Sequence, residues 1–217
     1  MVRIQRVLRV AVFLVCSGVA NVVSADPGAF SVQGLEGWEP QTFSRHDNTV
    51  YHLISDGDKT QVLQAQCEHS ASGLISKGKI DLSKTPKLSW RWRVHQVYAG
   101  LHEQEKSGDD FPARIYVVRD GGWALWRTRA LVYVWSNGET DADHWPSPHT
   151  SQVQVIPLHK GPRSLGRWED EQRDIRADFK TYLGMDIDRI DAVALMTDCD
   201  DGKGSAQSEY GDITLEP

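Results

Sequence analysis

Leu88-Ser89-Trp90-Arg91-Trp92-Arg93-Val94 is the stretch from which the fold is read. Leu88, Trp90, Trp92 and Val94 point one way and Ser89, Arg91 and Arg93 the other. That is the two-residue period of a strand with one face in a core and one toward water. Similar runs, bounded by turn residues, recur on both sides: residues 49–54, 61–67, 72–80, 113–118, 130–135, 153–158, 192–197 and 210–215. Between them lie Ser55-Asp56-Gly57-Asp58, Asp120-Gly121-Gly122, Ser136-Asn137-Gly138 and Gly161-Pro162, all turn formers. Only the stretch from Trp168 to Leu183, closed by Gly184, has apolar spacing that predicts a helix. On that helix Asp170, Asp174 and Asp178 would form a solvated acidic ridge. Nine or so strands and one short helix predict an all-β fold, an antiparallel β-sandwich of jelly-roll type.

The chain has 217 residues, 40% hydrophobic and 25% charged, which is ordinary globular composition. Lys and Arg number 24 against 30 Asp and Glu, a net charge of −6 that argues against a nucleic-acid partner. Arg3, Arg6 and Arg9 precede an apolar stretch that runs from Val10 to Val23, and Val23-Ser24-Ala25 fits a cleavage site. Residues 1–25 are therefore predicted to be a signal peptide, and 26–217 a single β-sandwich domain, periplasmic or secreted. The apolar stretch falls short of a bilayer span and no later segment reaches one, so no membrane insertion is expected after cleavage. Cys67 and Cys199 then remain. They either pair as a disulfide or stay as two buried thiols.

Established catalytic motifs fail. His69-Ser70-Ala71-Ser72-Gly73 lacks the first glycine of a nucleophile elbow, and neither C-x-x-C nor H-E-x-x-H occurs. His144 and His149 flank Trp-Pro-Ser-Pro in what reads as a rigid surface loop. No cofactor is expected, with calcium the one candidate: Asp198, Asp200 and Glu209 take positions 1, 3 and 12 of a calcium loop. Gly202 and Lys203 at positions 5 and 6 exclude an EF-hand, and Asp side chains in a strand-end turn also bond nearby amides. Asp109 and Asp110 stand just before the strand that carries Arg114, a spacing suited to an ion-pair network or to a bidentate donor for a ligand. Eight tryptophans are present, and Trp123, Trp126, Trp135 and Trp145 lie in or near turns, where an exposed ring would stack on a sugar.

Four motifs occur in order: Ser89-Trp90-Arg91-Trp92, Gly108-Asp109-Asp110-Phe111-Pro112-Ala113-Arg114-Ile115-Tyr116-Val117, Tyr133-Val134-Trp135-Ser136 and Thr197-Asp198-Cys199-Asp200. With Trp168, Asp174, Asp178 and Tyr210-Gly211-Asp212-Ile213, they resemble the uncharacterised family DUF3047 of exported bacterial proteins. The resemblance runs from about Phe30 to Leu215 and departs at Cys199 and Asp201. It implies export and the fold but no activity. Its motif residues fall at Trp90, Trp92, Asp109, Asp110, Arg114, Trp135, Asp198 and Asp200.

Two classes of function follow, with a third behind them. The first is a ligand-binding sandwich for a polysaccharide or cell-envelope glycan, using Arg91, Arg93, Asp109, Asp110, Arg114, Trp135, Asp198 and Asp200. The second is a glycoside hydrolase or lyase with paired carboxylates, Asp110 and Asp198. The third is a structural envelope protein without a small ligand.

Overall fold

The computed structural model describes residues 27, 29–57, 60–138, 140–202 and 204–217; the predicted signal peptide lies outside them. Its elements are α1 (Phe30–Gln33), β1 (Trp38–Thr42), β2 (Val50–Asp56), β3 (Thr60–Glu68), β4 (Ala71–Asp81), β5 (Lys87–Val94), β6 (Ala113–Arg119) and β7 (Arg129–Ser136). There follow β8 (Trp145–Ser147), β9 (Thr150–Lys160), β10 (Glu169–Asp174), α2 (Ile175–Leu183), β11 (Arg189–Asp198), β12 (Ser205–Tyr210) and β13 (Thr214–Glu216). One sheet has seven strands in the order β1-β4-β11-β6-β7-β9-β8. The other has six, comprising β10-β5-β12-β3-β2 and β13, which pairs with β5. Together they make a β-sandwich of jelly-roll type.

The alternation of β5 decides which face of each sheet is which. Leu88, Trp90, Trp92 and Val94 join Leu63, Ala65 and Tyr210 from their own sheet. They meet Ala113, Ile115, Val117, Leu131, Tyr133, Trp135, Val193 and Leu195 from the other sheet in one buried cluster. Aromatic rings bridge the layers, Trp90 to Tyr133 at 5.4 Å and Trp92 to Trp135 at 6.2 Å between centroids, within the range of favourable aromatic pairs. A disulfide joins Cys67 at the end of β3 to Cys199 just after β11, tying the two sheets together at that end.

Four expectations are corrected. The sandwich is not wholly antiparallel, since β7 and β9 run parallel. The helix from Trp168 to Leu183 splits into strand β10 and the nine-residue α2, and α1 adds a short helix that the sequence reading lacks. The acidic residues of the supposed ridge part company. Asp170 stands on β10, Asp174 caps α2 by accepting from the Ala177 amide, and Asp178 is buried against Arg173 and the Tyr133 hydroxyl. Residues 210–215 do not form one strand, because Tyr210 ends β12 and Thr214 begins β13.

Candidate functional site

The predicted site residues fall into two groups on different sheets. The first lies on the outer face of the six-stranded sheet. Ser89, Arg91 and Arg93 project there because their neighbours on β5 project into the core. Cross-strand register sets Arg93 beside Glu209 and Glu209 beside Gln64. Arg93 Nε donates to Glu209 at 2.8 Å, and Arg93 Nη2 reaches Asp56 at 3.2 Å. Glu209 also accepts from Gln64 at 3.2 Å and from Gln207 at 3.3 Å, and pairs with His95 at 2.6 Å. Burial works against its charge, yet Arg93 and His95 hold the Glu209 carboxyl below its usual range. Arg91 reaches Asp56 at 3.6 Å, and the guanidinium carbons of both arginines lie over the Trp168 ring at 4.4 and 4.5 Å. Gly211 leaves Arg91 room to lie flat, since a Cβ there would come within 2.5 Å of Arg91 Cγ. Beside this row opens a cleft of about 440 Å³ lined by Thr60, Gln61, Ser89, Arg91, Asp170, Gln172, Asp212 and Thr214, among others.

The second group centres on Arg114, which is 4% exposed. It projects from the outer face of the seven-stranded sheet, but that face is covered: Phe111, Tyr116, Val132, Val134, Trp145 and Val155 form a second buried cluster there. Arg114 Nε donates to Asp198 Oδ1 at 2.9 Å and Nη2 to Asp198 Oδ2, a bidentate pair. Its remaining donors reach the Asp109 carboxylate at 3.4 Å, the Asp109 carbonyl and the Tyr116 hydroxyl. His149 Nε2 closes on Asp109 at 3.3 Å. Asp110, fully buried, accepts from the Asp201 amide at 3.2 Å and the Gly202 amide at 2.6 Å, binding the loop after β11 to the segment before β6. Burial pushes the Asp110 carboxyl up. It pushes Asp198 up as well, with the Arg114 charge acting the other way.

The structure thus unites Arg114 with Asp109 and Asp198, and sets Asp110 and Asp200 close by. Asp110, Asp200 and Asp201 bring carboxylate oxygens within 4.8 Å of one another, a hard-oxygen set of the kind calcium takes. Asp200 also pairs with His46 at 2.8 Å. The set Asp198, Asp200 and Glu209 is not assembled: Asp198 is committed to Arg114, and Glu209 to Arg93 and His95 on the other sheet. Trp135 is a correction too. It is fully buried, stacked on His159 at 4.4 Å, and offers no ring to a ligand. Sequence reasoning missed Gln64, Gln66, Gln207 and His95 on the polar face. Their signal was present in the period-2 placing of glutamines along β3 and β12.

Residues 36–214 match the sequence profile of the family described as Protein of unknown function (DUF3047). No curated protein sequence matches significantly. Among solved structures, the chain is similar to the enzymatically active domain of bacteriophage CBA120 tailspike protein 4 at 7% identity and a TM-score of 0.46, covering 90% of this chain. It spans only 21% of the tailspike chain's length. It is also similar to the xyloglucanase domain of NopAA, a type three effector from Sinorhizobium fredii, in complex with cellobiose, at 9% identity and a TM-score of 0.46, covering 82% of this chain and 92% of that one. A third likeness is to the family 30 carbohydrate-binding module of a cellulosomal cellulase of Clostridium thermocellum, at 13% identity and a TM-score of 0.41, covering 82% and 85%.

Proposed function

We propose that this chain, which belongs to the DUF3047 family, is an exported glycan-binding sandwich whose ligand lies on the outer face of the six-stranded sheet. One observation carries the reading: the partly exposed planar side chains of Gln64, Arg93 and Arg91, held in place by the buried Glu209 beneath them and by Trp168, stand beside an open cleft. Sugar hydroxyls are recognised by such fixed donors and acceptors, and prior immobilisation spares the entropy of ordering them on binding. The cations of the row are matched by Asp56 and Glu209, so the face suits a neutral or weakly charged glycan better than a polyanion. Export is supported by the leader pattern of residues 1–25 and by the Cys67–Cys199 disulfide, which suits an oxidising compartment. A hydrolase built on Asp110 and Asp198 fits less well, because both carboxylates are buried and spoken for by internal donors.

The test is a thermal-shift screen against oligosaccharides and polysaccharides. A ligand of the folded state at a hundredfold excess over its dissociation constant adds about 2.7 kcal/mol of stability. A glycan that raises the melting temperature of the wild type but not of Arg91→Ala supports the reading. No shift with any glycan, or an equal shift in Arg91→Ala, overturns it.

A further inference from the structure

The turn between β6 and β7 carries two tryptophans, Trp123 and Trp126, that are 87% and 63% exposed. Rings of this size are normally buried for most of their area, and exposed apolar patches mark contact sites. The turn that holds them is firmly built. At Gly121 a Cβ would stand 2.4 Å from the Ala124 carbonyl oxygen and 2.7 Å from the Thr128 amide, so no side chain fits there. Gly122 takes the left-handed φ of +62°, and Asp120 Oδ1 accepts from both the Gly122 amide and the Thr128 hydroxyl. Three carbonyls of the turn are answered from within. Gly121 accepts from the Ala124 amide, Ala124 from the Arg127 amide, and Trp126 from Arg129 and Gln152. Each carbonyl bonded in this way is one polar group fewer to desolvate when the turn meets a less polar surface.

The geometry of the two rings narrows the partner. They meet edge to face, 5.8 Å apart and 89° from parallel, so they form no flat platform on which successive sugars could lie. An indole with one apolar body and one N–H instead suits the boundary between lipid headgroups and acyl chains. The local charge is basic although the whole chain carries −6: Arg127 is exposed on the turn and Arg129 follows it, while Asp120 is bonded within the turn and the nearby Asp191 is taken by Arg119. We propose that this turn docks the protein peripherally on the interfacial layer of an anionic phospholipid bilayer, with Trp123 and Trp126 at headgroup depth and Arg127 against the lipid phosphates. Because β6 runs from Arg114 toward Arg119, the turn lies at the end of the sandwich opposite the Asp198–Asp201 loop. Docking there needs no membrane-spanning segment, and no helix among the described residues is long and apolar enough to be one.

The test mixes the exported protein, from which the predicted leader has been cleaved, with vesicles of phosphatidylglycerol and brominated phosphatidylcholine and follows indole quenching. The leader is excluded because its three arginines and apolar stretch would bind anionic vesicles by themselves. Quenching should appear with the anionic vesicles and fade as salt is raised. Trp123→Ser and Trp126→Ser should each weaken partitioning roughly tenfold and leave the melting temperature unchanged, since both rings are exposed. Arg127→Gln should weaken binding and flatten its salt dependence. No quenching, or equal quenching in the wild type and the double serine variant, would overturn the proposal. So would retention on a polysaccharide gel through these two rings without any vesicle signal, which would make the turn a glycan contact.

Discussion

Replacing Arg114 with Met tests whether the buried acidic cluster is a scaffold. The side chain is 4% exposed and makes two charge-assisted bonds to Asp198, one to Asp109 and one to the Asp109 carbonyl. Met matches the length of the stem but supplies no donor. Within a largely dry site Asp198 would then lack its cation, and Asp109 would keep only its contact with His149. Removing one partner of a buried pair costs about 3–5 kcal/mol, mostly the penalty of the charge left behind. For a domain of this size that lowers the melting temperature by roughly 6–20 °C. Urea unfolding followed by intrinsic fluorescence reads the loss, provided the slope with denaturant is unchanged. The double variant Arg114→Met/Asp198→Leu should recover much of it, because removing both charges leaves fewer orphaned groups. A loss below about 1 kcal/mol for Arg114→Met would refute the reasoning, since that is the range of a solvated surface pair.

Further outcomes follow from the same contacts. Mutating Cys67 and Cys199 to Ala should cost up to about 5 kcal/mol in urea, the chain-entropy limit for a loop of this length, as the two residues are 132 apart in sequence. Stability should rise as pH falls from 7 toward about 5, measured by melting temperature. Burial raises the carboxyls of Glu103 and Asp110, so the folded state holds protons that the unfolded chain releases, and that gain is lost as pH climbs through their folded values. Below about pH 4 the trend should reverse, as Glu209, held low by Arg93 and His95, is forced to take a proton and its stabilising bonds weaken. Asp110→Asn should flatten the rise, and a rise of full size in that variant would remove Asp110 from the account. Gly211→Ala should displace Arg91 and weaken glycan binding about tenfold while changing unfolding free energy by less than about 1 kcal/mol. A large stability loss with intact binding would contradict that assignment.

How far the sequence could be read depended on which forces were local. The strict alternation of residues 88–94 named both faces of β5, so Arg91 and Arg93 were legible as outward-facing from the start. The strands missed were edge strands without an apolar period. β1 and β8 carry Pro40 and Pro146, which suit an edge but weaken any strand signal, and β10 reads Glu-Asp-Glu-Gln-Arg-Asp, polar on both faces. Trp135 could not be assigned to a face because residues 130–135 are apolar throughout, the mark of a strand buried on both sides. The acidic residues were visible as types but not as a network. Arg114 and Asp198 are 84 positions apart, and only the pairing of β6 with β11 brings them together. That same long-range pairing decides that these groups are buried, which composition reads as loop.

The most direct measurement of the central claim is titration calorimetry with the best glycan from the screen on three proteins: wild type, Arg91→Ala and Asp200→Asn. Binding on the outer face of the six-stranded sheet predicts that affinity falls at least tenfold in Arg91→Ala and is unchanged in Asp200→Asn. Loss of binding in Asp200→Asn with full affinity in Arg91→Ala would move the ligand to the acidic loop and contradict the account.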